Sequence, residues 1–186
     1  MEDEKIVALY FARDEQAIAQ TDQKYGPYCF TLANRILCND ADAEETVSDT
    51  FFKAWQSIPP TRPRVLRLFL AKITRNLAFD RWRSEAAQKR GGGEMTLVLE
   101  ELEECIGHEP EVDARLEARE LARAIAAFLD TCPDREQNVF LRRYFFVETT
   151  QEIARRYGMT PAAVLKSLSR TRKKLKEHLT QEGYAV

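Results

Sequence analysis

Hydrophobic residues recur at helical spacing along most of the chain, and alternation with a period of two is confined to short runs. In the first 90 residues this pattern predicts four helices. The first contains Ile6, Leu9, Tyr10 and Ala17, the second runs from Tyr25 to Leu37, and the third begins at an Asn39–Asp40 cap. Pro59 and Pro60 end the third helix, because proline donates no backbone hydrogen bond and restricts the residue before it.

The fourth predicted helix, residues 63–89, has one apolar face and one basic face. At about 100° per residue, its apolar stripe consists of Leu66, Leu70, Ile73 and Leu77. The basic side is formed by Arg64, Arg67, Lys72 and Arg75, and it continues through Trp82 and Arg83. Guanidinium groups attract phosphates and aromatic rings stack on bases, so this side is typical of a surface for single-stranded nucleic acid. Trp82 is equally consistent with a core residue at the end of the helix, and both interpretations remain open.

Residues 149–168 have the pattern of a helix-turn-helix. Thr149 and Glu152 have the spacing of a capping box, and Gly158 is placed to end that helix in the left-handed conformation. Thr160–Pro161 predicts the next helix start. The small residue Ala154 and the apolar Val164 are spaced so that the two helices can cross closely. The second of these helices continues into a basic segment, residues 170–176, that is suited to phosphate contacts.

Two more helices precede this motif, one over residues 113–131 and one that begins at Pro133. The predicted fold class is therefore all-α, with two small helical domains. The second is a helix-turn-helix domain of four helices, and we expect it to be winged-helix-like.

Charge is segregated along the chain, although the net charge is only −2. Residues 62–90 have 9 basic and 2 acidic side chains, whereas residues 94–113 have 8 acidic side chains and no Lys or Arg. Glycines at 91–93 end a helix, and like charges keep the following chain extended. We therefore expect an acidic flexible linker over 91–112, between a first domain at 1–90 and a second at 113–186. The apolar residues Val98, Leu99, Leu102 and Ile106 leave a short helix or a docking strip open as an alternative.

The composition excludes several classes of protein. No apolar run approaches the ~18 residues of a membrane span, and the N-terminus has no signal-peptide pattern. We therefore expect a soluble, cytoplasmic protein with no membrane contact of its own. Four cysteines are too few and too widely spaced for a disulfide scaffold. The sequence shows no nucleophile and base pair, so we expect no enzymatic activity and no cofactor.

Three segments, in order, resemble the extracytoplasmic-function (ECF) group of the bacterial sigma-70 family. Residues 42–55 are similar to region 2.2, residues 69–83 to regions 2.3 and 2.4, and residues 144–174 to region 4.2. Phe69 stands where the family usually has Trp, and Val164-Leu165-Lys166 departs from the usual recognition-helix pattern. For this reason the resemblance does not transfer a −35 sequence preference to this chain.

The resemblance implies three sets of binding residues. The set implied for the polymerase core is Asp42, Glu44, Glu45, Asp49, Phe52 and Trp55. The set implied for the −10 element is Arg64, Arg67, Lys72, Arg75, Asn76, Asp80, Arg81, Trp82 and Arg83. The set implied for the −35 element is Thr160, Leu165, Lys166, Ser169, Arg170, Arg172 and Lys173.

The resemblance thus implies a transcription initiation factor that binds the polymerase core and directs it to specific promoters. Its partners would be the β′ clamp and β flap of the polymerase, promoter DNA and an anti-sigma factor. Two alternatives stay open. One is a helix-turn-helix regulator that binds DNA alone, and the other is a metal site using Cys105, His108 and Cys132, which supplies at most part of a ligand set.

Overall fold

The computed structural model describes residues 1–86, 94–106 and 114–184. In these ranges every regular element is an α-helix, and the chain divides into two compact units, Met1–Gly93 and Glu94–Val186. The predicted all-α class of two helical domains is confirmed. Within the described ranges no helix is both long and apolar enough to cross a membrane.

The described part of the first unit, residues 1–86, contains four helices: α1 (Asp3–Phe11), α2 (Gln16–Leu37), α3 (Asp40–Ser57) and α4 (Leu66–Ala86). Helices α2, α3 and α4 pack against one another, and α1 packs on α2. Their apolar faces meet in one core that includes Ile6, Tyr10, Phe51 and Leu70. Burial of these side chains supplies the main stabilisation of the unit.

The predicted first helix is wrong, because the chain breaks between Tyr10 and Ala17. Arg13 has a left-handed φ of 56°, and the Asp14 carboxylate accepts a hydrogen bond of 2.9 Å from the backbone N–H of Gln16. The break turns α1 back along α2, where the hydroxyls of Tyr10 and Thr21 are hydrogen-bonded at 2.9 Å. Ala17 therefore belongs to α2, which begins well before the predicted start at Tyr25.

The ends of α3 agree with the prediction, and α4 differs in detail. The Asn39 side chain caps α3 by accepting hydrogen bonds from the backbone N–H groups of Ala41 and Asp42. Helix α3 ends at Ser57, before the two prolines. Helix α4 begins at Leu66 rather than at residue 63, and the part predicted beyond 86 lies outside the described residues. The buried face of α4 is Leu66, Leu70, Ala71, Thr74 and Ala78, whereas Ile73 and Leu77 are only half-buried.

The second unit contains α5 (Glu94–Ile106), α6 (Ala114–Asp130), α7 (Asp134–Tyr144), α8 (Thr150–Tyr157) and α9 (Pro161–Gln181). Helix α9 contacts each of the other four. The core of the unit includes the buried residues Val139, Phe140, Ile153, Leu168 and Leu175. Pro133 is the N-cap of α7 rather than its first helical residue.

Two features of the predicted second domain need correction. Residues 94–106 were expected to lie in a flexible linker, with a short helix left open as the alternative. They form the helix α5 and pack against α7 and α9, so the second unit begins at Glu94 rather than at 113. The remaining linker positions, 91–93 and 107–112, lie outside the described residues. In addition, the described part of this unit contains no strand, so nothing there corresponds to the hairpin of a winged helix.

Candidate functional site

Helices α8 and α9 form the predicted helix-turn-helix, and each local signal has its expected geometry. The capping box is complete: Glu152 N–H donates to Thr149 Oγ1 at 3.2 Å, and Thr149 N–H donates to Glu152 Oε2 at 2.8 Å. Gly158 ends α8 with a φ of 60°. Ala154 and Val164 are buried where the helices meet. The turn therefore fixes the direction in which α9 leaves α8.

The exposed side of α9 presents most of the residues predicted for the −35 element. The exposed members are Thr160, Leu165, Lys166, Ser169, Arg170 and Lys173. Thr160 Oγ1 also accepts a hydrogen bond of 3.1 Å from Ala163 N–H and thus caps α9. These side chains combine cations, hydroxyls and one apolar group, as a major-groove surface requires.

Two cations of α9 are held by a carboxylate of α7. Glu136 accepts a hydrogen bond from Arg170 at 2.9 Å and another from Lys174 at 3.3 Å. Arg170 remains exposed. Glu136 therefore limits the positions that the guanidinium of Arg170 can take at the surface.

Arg172 differs from the other predicted −35 residues, because its side chain is only 17% exposed. It donates a hydrogen bond of 2.7 Å to the Tyr144 hydroxyl and lies 3.4 Å from a carboxylate oxygen of Glu101. Arg172, which is predicted to contact the −35 element, is thus engaged within the unit in this structure.

Beside Arg172, an ion-pair network around the buried Arg143 joins α5 to α7. Arg143 is 3% exposed and donates to both carboxylate oxygens of Glu101, at 2.7 and 3.2 Å, and to Glu94. The Tyr144 hydroxyl donates to Glu101 at 2.8 Å. Burial opposes ionisation of Glu101, but the hydrogen bonds from Arg143 and Tyr144 outweigh it and lower the pKa of this carboxyl.

A buried carboxylate lies in the turn between α7 and α8. Glu148 is 1% exposed, and its carboxylate accepts hydrogen bonds from Arg142 at 3.2 Å and from Arg156 at 2.9 Å. Its backbone carbonyl accepts a hydrogen bond of 3.1 Å from Arg143. This residue therefore fixes the turn that leads into the helix-turn-helix.

In the first unit, α4 and the segment before it present most of the residues predicted for the −10 element. Six of them are exposed: Arg64, Arg67, Lys72, Asn76, Asp80 and Arg83. Arg67 lies over the ring of Tyr28, with its guanidinium carbon 4.5 Å from the ring centroid. Arg75 is half-buried, and this burial lowers the pKa of its guanidinium.

Trp82 is half-buried and stacks on Phe79, with ring centroids 6.0 Å apart and planes 16° from parallel. The guanidinium of Arg83 lies 4.8 Å from the Phe79 centroid. Trp82 is thus at the edge of the fold, and Phe79, which was absent from the prediction, joins the same aromatic and cationic cluster. The spacing of Phe79, Trp82 and Arg83 on one helix could have indicated this cluster.

Arg81 connects two predicted surfaces of the first unit. Its guanidinium lies 2.9 Å from Glu45 and donates a hydrogen bond of 3.1 Å to the backbone carbonyl of Asp42. The hydrogen bond to Glu45 raises the pKa of Arg81. Arg81 therefore ties α4 to the acidic side of α3.

The acidic side of α3 is exposed at Glu44, Glu45 and Asp49, whereas Asp42 is half-buried. Phe52 continues this side and is 58% exposed. Trp55 differs from it, because its half-buried ring packs against the core, 6.0 Å from the ring of Tyr10. Phe52 is therefore the exposed aromatic residue on this side, and Trp55 is half-buried.

Two of the three proposed metal ligands lie in the described residues. Cys105 is buried in α5 and Cys132 is half-buried after α6, while His108 lies outside the described ranges. Within the described ranges, no group of three or more His, Cys, Asp or Glu side chains is placed to hold a metal ion. In the first unit, burial raises the pKa of the Cys29 thiol to about 11.

Sequence comparison assigns both units to one family. Residues 22–88 match the model of Sigma-70 region 2, and residues 122–175 match that of Sigma-70, region 4. Together the two matches cover more than half of the chain. The chain therefore belongs to the sigma-70 family.

Among curated proteins, the chain is similar to Probable RNA polymerase sigma factor RfaY of Xanthomonas campestris pv. campestris. The two are 27% identical over 175 residues, which cover 89% of this chain and 42% of that protein. It is also similar to ECF RNA polymerase sigma factor SigE of Mycolicibacterium smegmatis, 23% identical over 173 residues, which cover 91% of this chain and 65% of that protein. The chain thus spans less than two thirds of the length of either relative.

Among solved structures, CnrH in complex with the cytosolic domain of CnrY matches with a TM-score of 0.44 and 21% identity. The match covers 97% of this chain and 99% of that one.

Proposed function

We propose that this chain binds the core of RNA polymerase and directs it to specific promoters, without catalysing a reaction itself. The observation that carries the proposal is the helix-turn-helix, whose α9 leaves a stable turn with an exposed row of polar and basic side chains. It occurs in a chain whose other unit matches sigma-70 region 2. A protein that only bound DNA through its helix-turn-helix would not need a unit that matches sigma-70 region 2.

The second unit would place α9 in the major groove of the −35 element. Lys166 and Ser169 are exposed there, and Leu165, 51% exposed, is suited to contact with a thymine methyl group. Lys173 lies further along the basic segment and would contact phosphates. Arg170 would reach the DNA from its position beside Glu136.

The first unit would hold the −10 element as a single strand. Lys72, Asn76 and Arg83 are exposed along α4, and the stacked pair of Phe79 and Trp82 supplies aromatic rings. Cations bind the phosphates of a strand, and rings stack on its bases. This combination supports capture of one strand after the duplex opens.

The acidic side of α3 would dock on a basic surface of the polymerase core. Several carboxylates within two helical turns repel one another by a few tenths of a kcal/mol per pair, so a basic partner would relieve a cost that the free helix carries. Phe52 would add apolar contact at the same site. The resemblance to the ECF group makes an anti-sigma factor a further proposed partner.

A charge reversal on α3 tests the docking step. Glu44→Lys combined with Asp49→Lys leaves the ion pair between Glu45 and Arg81 in place, and both positions are exposed. We expect this variant to lose co-purification with core polymerase and all promoter-directed transcripts, at unchanged helical content by circular dichroism.

The matched control is Glu2→Lys with Glu15→Lys, which changes the net charge equally at exposed positions outside α3. This control should still join the core. If the α3 variant also joins the core and initiates at promoters normally, α3 is not the docking site.

A further inference from the structure

Helix α5 lies outside both family matches, yet it is built into the second unit. It packs against α7 and α9 and buries Met95, Val98 and Cys105 against them. Glu94 and Glu101 lie seven residues apart, two helical turns, and hence on this same face. The packed face of α5 therefore carries two carboxylates as well as apolar side chains. In a solvated acidic linker, by contrast, the carboxylates would point outward into water.

The carboxylate of Glu101 is the point at which α5 meets the basic segment of α9. Both of its oxygens accept hydrogen bonds from Arg143, and one also accepts from the Tyr144 hydroxyl. The same hydroxyl accepts a 2.7 Å hydrogen bond from Arg172, whose Nη1 is 3.4 Å from the Glu101 carboxylate. Glu101 thus acts on Arg172 both directly, by charge, and through Tyr144.

Arg172 is withdrawn relative to its neighbours on α9. Ser169 and Lys173 are exposed, whereas Arg172 is half-buried. A cleft of about 240 Å³ is lined by Cys105 of α5 and by Ser169, Arg172, Lys173 and Lys176 of α9. The last turn of α5 therefore borders the cations that a DNA backbone would approach.

We propose that Glu101 sets the DNA affinity of the second unit by holding Arg172 away from the phosphate backbone, so that α5 competes with DNA for this cation. The inference rests on the proposed DNA contact of α9. It makes Glu101 a positioning residue outside the matched region 4.

The experiment measures binding of the full chain to a fluorescein-labelled 30-base-pair duplex by anisotropy, over a series of salt concentrations. Glu101→Gln keeps the shape of the side chain but removes its charge, and it leaves one acceptor oxygen where two accept hydrogen bonds in the wild type. One released phosphate contact steepens the slope of log K against log salt by about 0.9 and raises affinity about fivefold at low salt. A role of Glu101 in folding alone would leave the salt slope unchanged.

The matched control is Glu100→Gln, an equal charge change at the adjacent exposed position of α5. We expect less than about a twofold change in affinity and the wild-type slope. Equal effects of Glu100→Gln and Glu101→Gln, or an unchanged or weaker affinity of Glu101→Gln, would overturn the proposal.

A second comparison concerns Arg172, and its first part needs no Glu101 variant. Because Arg172 is already engaged, Arg172→Gln should weaken wild-type binding less than Lys173→Gln does, and it should abolish the gain in the Glu101→Gln background. If Arg172→Gln lowers the affinity of the wild type for the duplex as much as Lys173→Gln does, Glu101 does not keep Arg172 from the DNA, and the proposal is wrong. Suppose that the wild type and Lys173→Gln bind the duplex in a salt-sensitive manner, but Glu101→Gln shows no gain in affinity and no steeper salt slope. Then only the inference about Glu101 is wrong, and the proposed DNA contact of α9 stands. If no form of the chain binds the duplex, the proposed DNA contact of α9 falls with it.

Discussion

The carboxylate of Glu101 shows how a single residue can hold several helices together. Its hydrogen bonds with Arg143 and Tyr144 connect α5 to α7, and its charge reaches Arg172 on α9. Such a buried pair is worth less as net stability than its short distances suggest, since each ion loses hydration. Removing one partner is costly, however, because the other charge is then left buried.

The lowered pKa of Glu101 predicts how acid affects the second unit. Its ordinary value is 4.5, and the folded value lies below it. A carboxyl of this kind contributes stability above the unfolded pKa, and the contribution disappears as pH falls through the folded pKa. We therefore expect little change from this group between pH 7 and 5 and a loss below about 4.5.

Urea unfolding of the full chain at pH 7 and at pH 3.5, monitored by circular dichroism, checks this expectation. Glu101→Gln should lose less stability between the two pH values than the wild type loses. Glu100→Gln serves as the control and should follow the wild type. An acid sensitivity of Glu101→Gln as large as that of the wild type would show that this carboxyl is not responsible.

We expect a substitution of Glu148 to destabilise the turn before α8. Glu148→Gln keeps the volume but weakens the hydrogen bonds with Arg142 and Arg156, so we expect a loss of about 2 kcal/mol in the free energy of unfolding. The exposed Glu177→Gln on α9 is the control and should change stability by less than about 0.5 kcal/mol. If Glu148→Gln lowers the free energy of unfolding by less than about 0.5 kcal/mol, the role assigned to this buried carboxylate is contradicted.

At the scale of the element, the sequence was most informative where local rules act alone. The capping box of Thr149 and Glu152, the left-handed Gly158 and the small Ala154 are local requirements of one turn, and the structure contains all of them. Helix α5 was assigned to a linker because its acidic residues were expected to repel. Its partners Arg143 and Arg172 are some 40 to 70 residues away along the chain, so no local pattern shows that they neutralise it.

The same limit explains two further features that the sequence did not predict. The break at Arg13 depends on α1 packing back on α2, and the inward position of Trp55 depends on the ring of Tyr10. In each case helical periodicity identified the residues as apolar, but it could not identify what they would contact. Tertiary packing decides that second question.

The packing of helix α5 leads us to expect slow amide hydrogen exchange along it. Because it packs on α7 and α9, the backbone amides of residues 98–105 should exchange at least about a hundredfold more slowly than in an unstructured peptide. Exchange measured by NMR or mass spectrometry on the full chain checks this. Exchange at unstructured rates throughout residues 98–105 would restore the linker interpretation.

From the positions of its exposed side chains, we expect helix α9 to make two kinds of DNA contact. In transcription with core polymerase, Lys166→Ala should carry a penalty that changes by about 1–3 kcal/mol between altered −35 sequences, because it contacts base edges. Lys173→Ala should weaken all promoters alike and reduce the salt dependence, because it contacts phosphate. Equal penalties for Lys166→Ala on every −35 sequence would mean that this residue also contacts only the backbone.

For the whole molecule, the two units divide the work in the proposed function. The first offers an acidic side on α3 and a basic, aromatic side on α4, joined by the ion pair between Glu45 and Arg81. The second offers the helix-turn-helix, with α5 against its basic helix. The residues assigned to the three binding surfaces follow from the family resemblance, whereas their pairing within each unit emerges only from the structure.

The central claim is that this chain gives promoter choice to a polymerase that lacks it. The direct measurement is transcription by purified core polymerase on a library of genomic fragments, with and without the chain, followed by mapping of the transcript starts. With the chain, we predict starts at a small set of positions that share two sequence elements at fixed spacing, and without it only initiation at fragment ends. Transcript starts that are identical with and without the chain, while the isolated chain binds particular duplexes tightly, would contradict the claim and identify a regulator that acts on DNA alone.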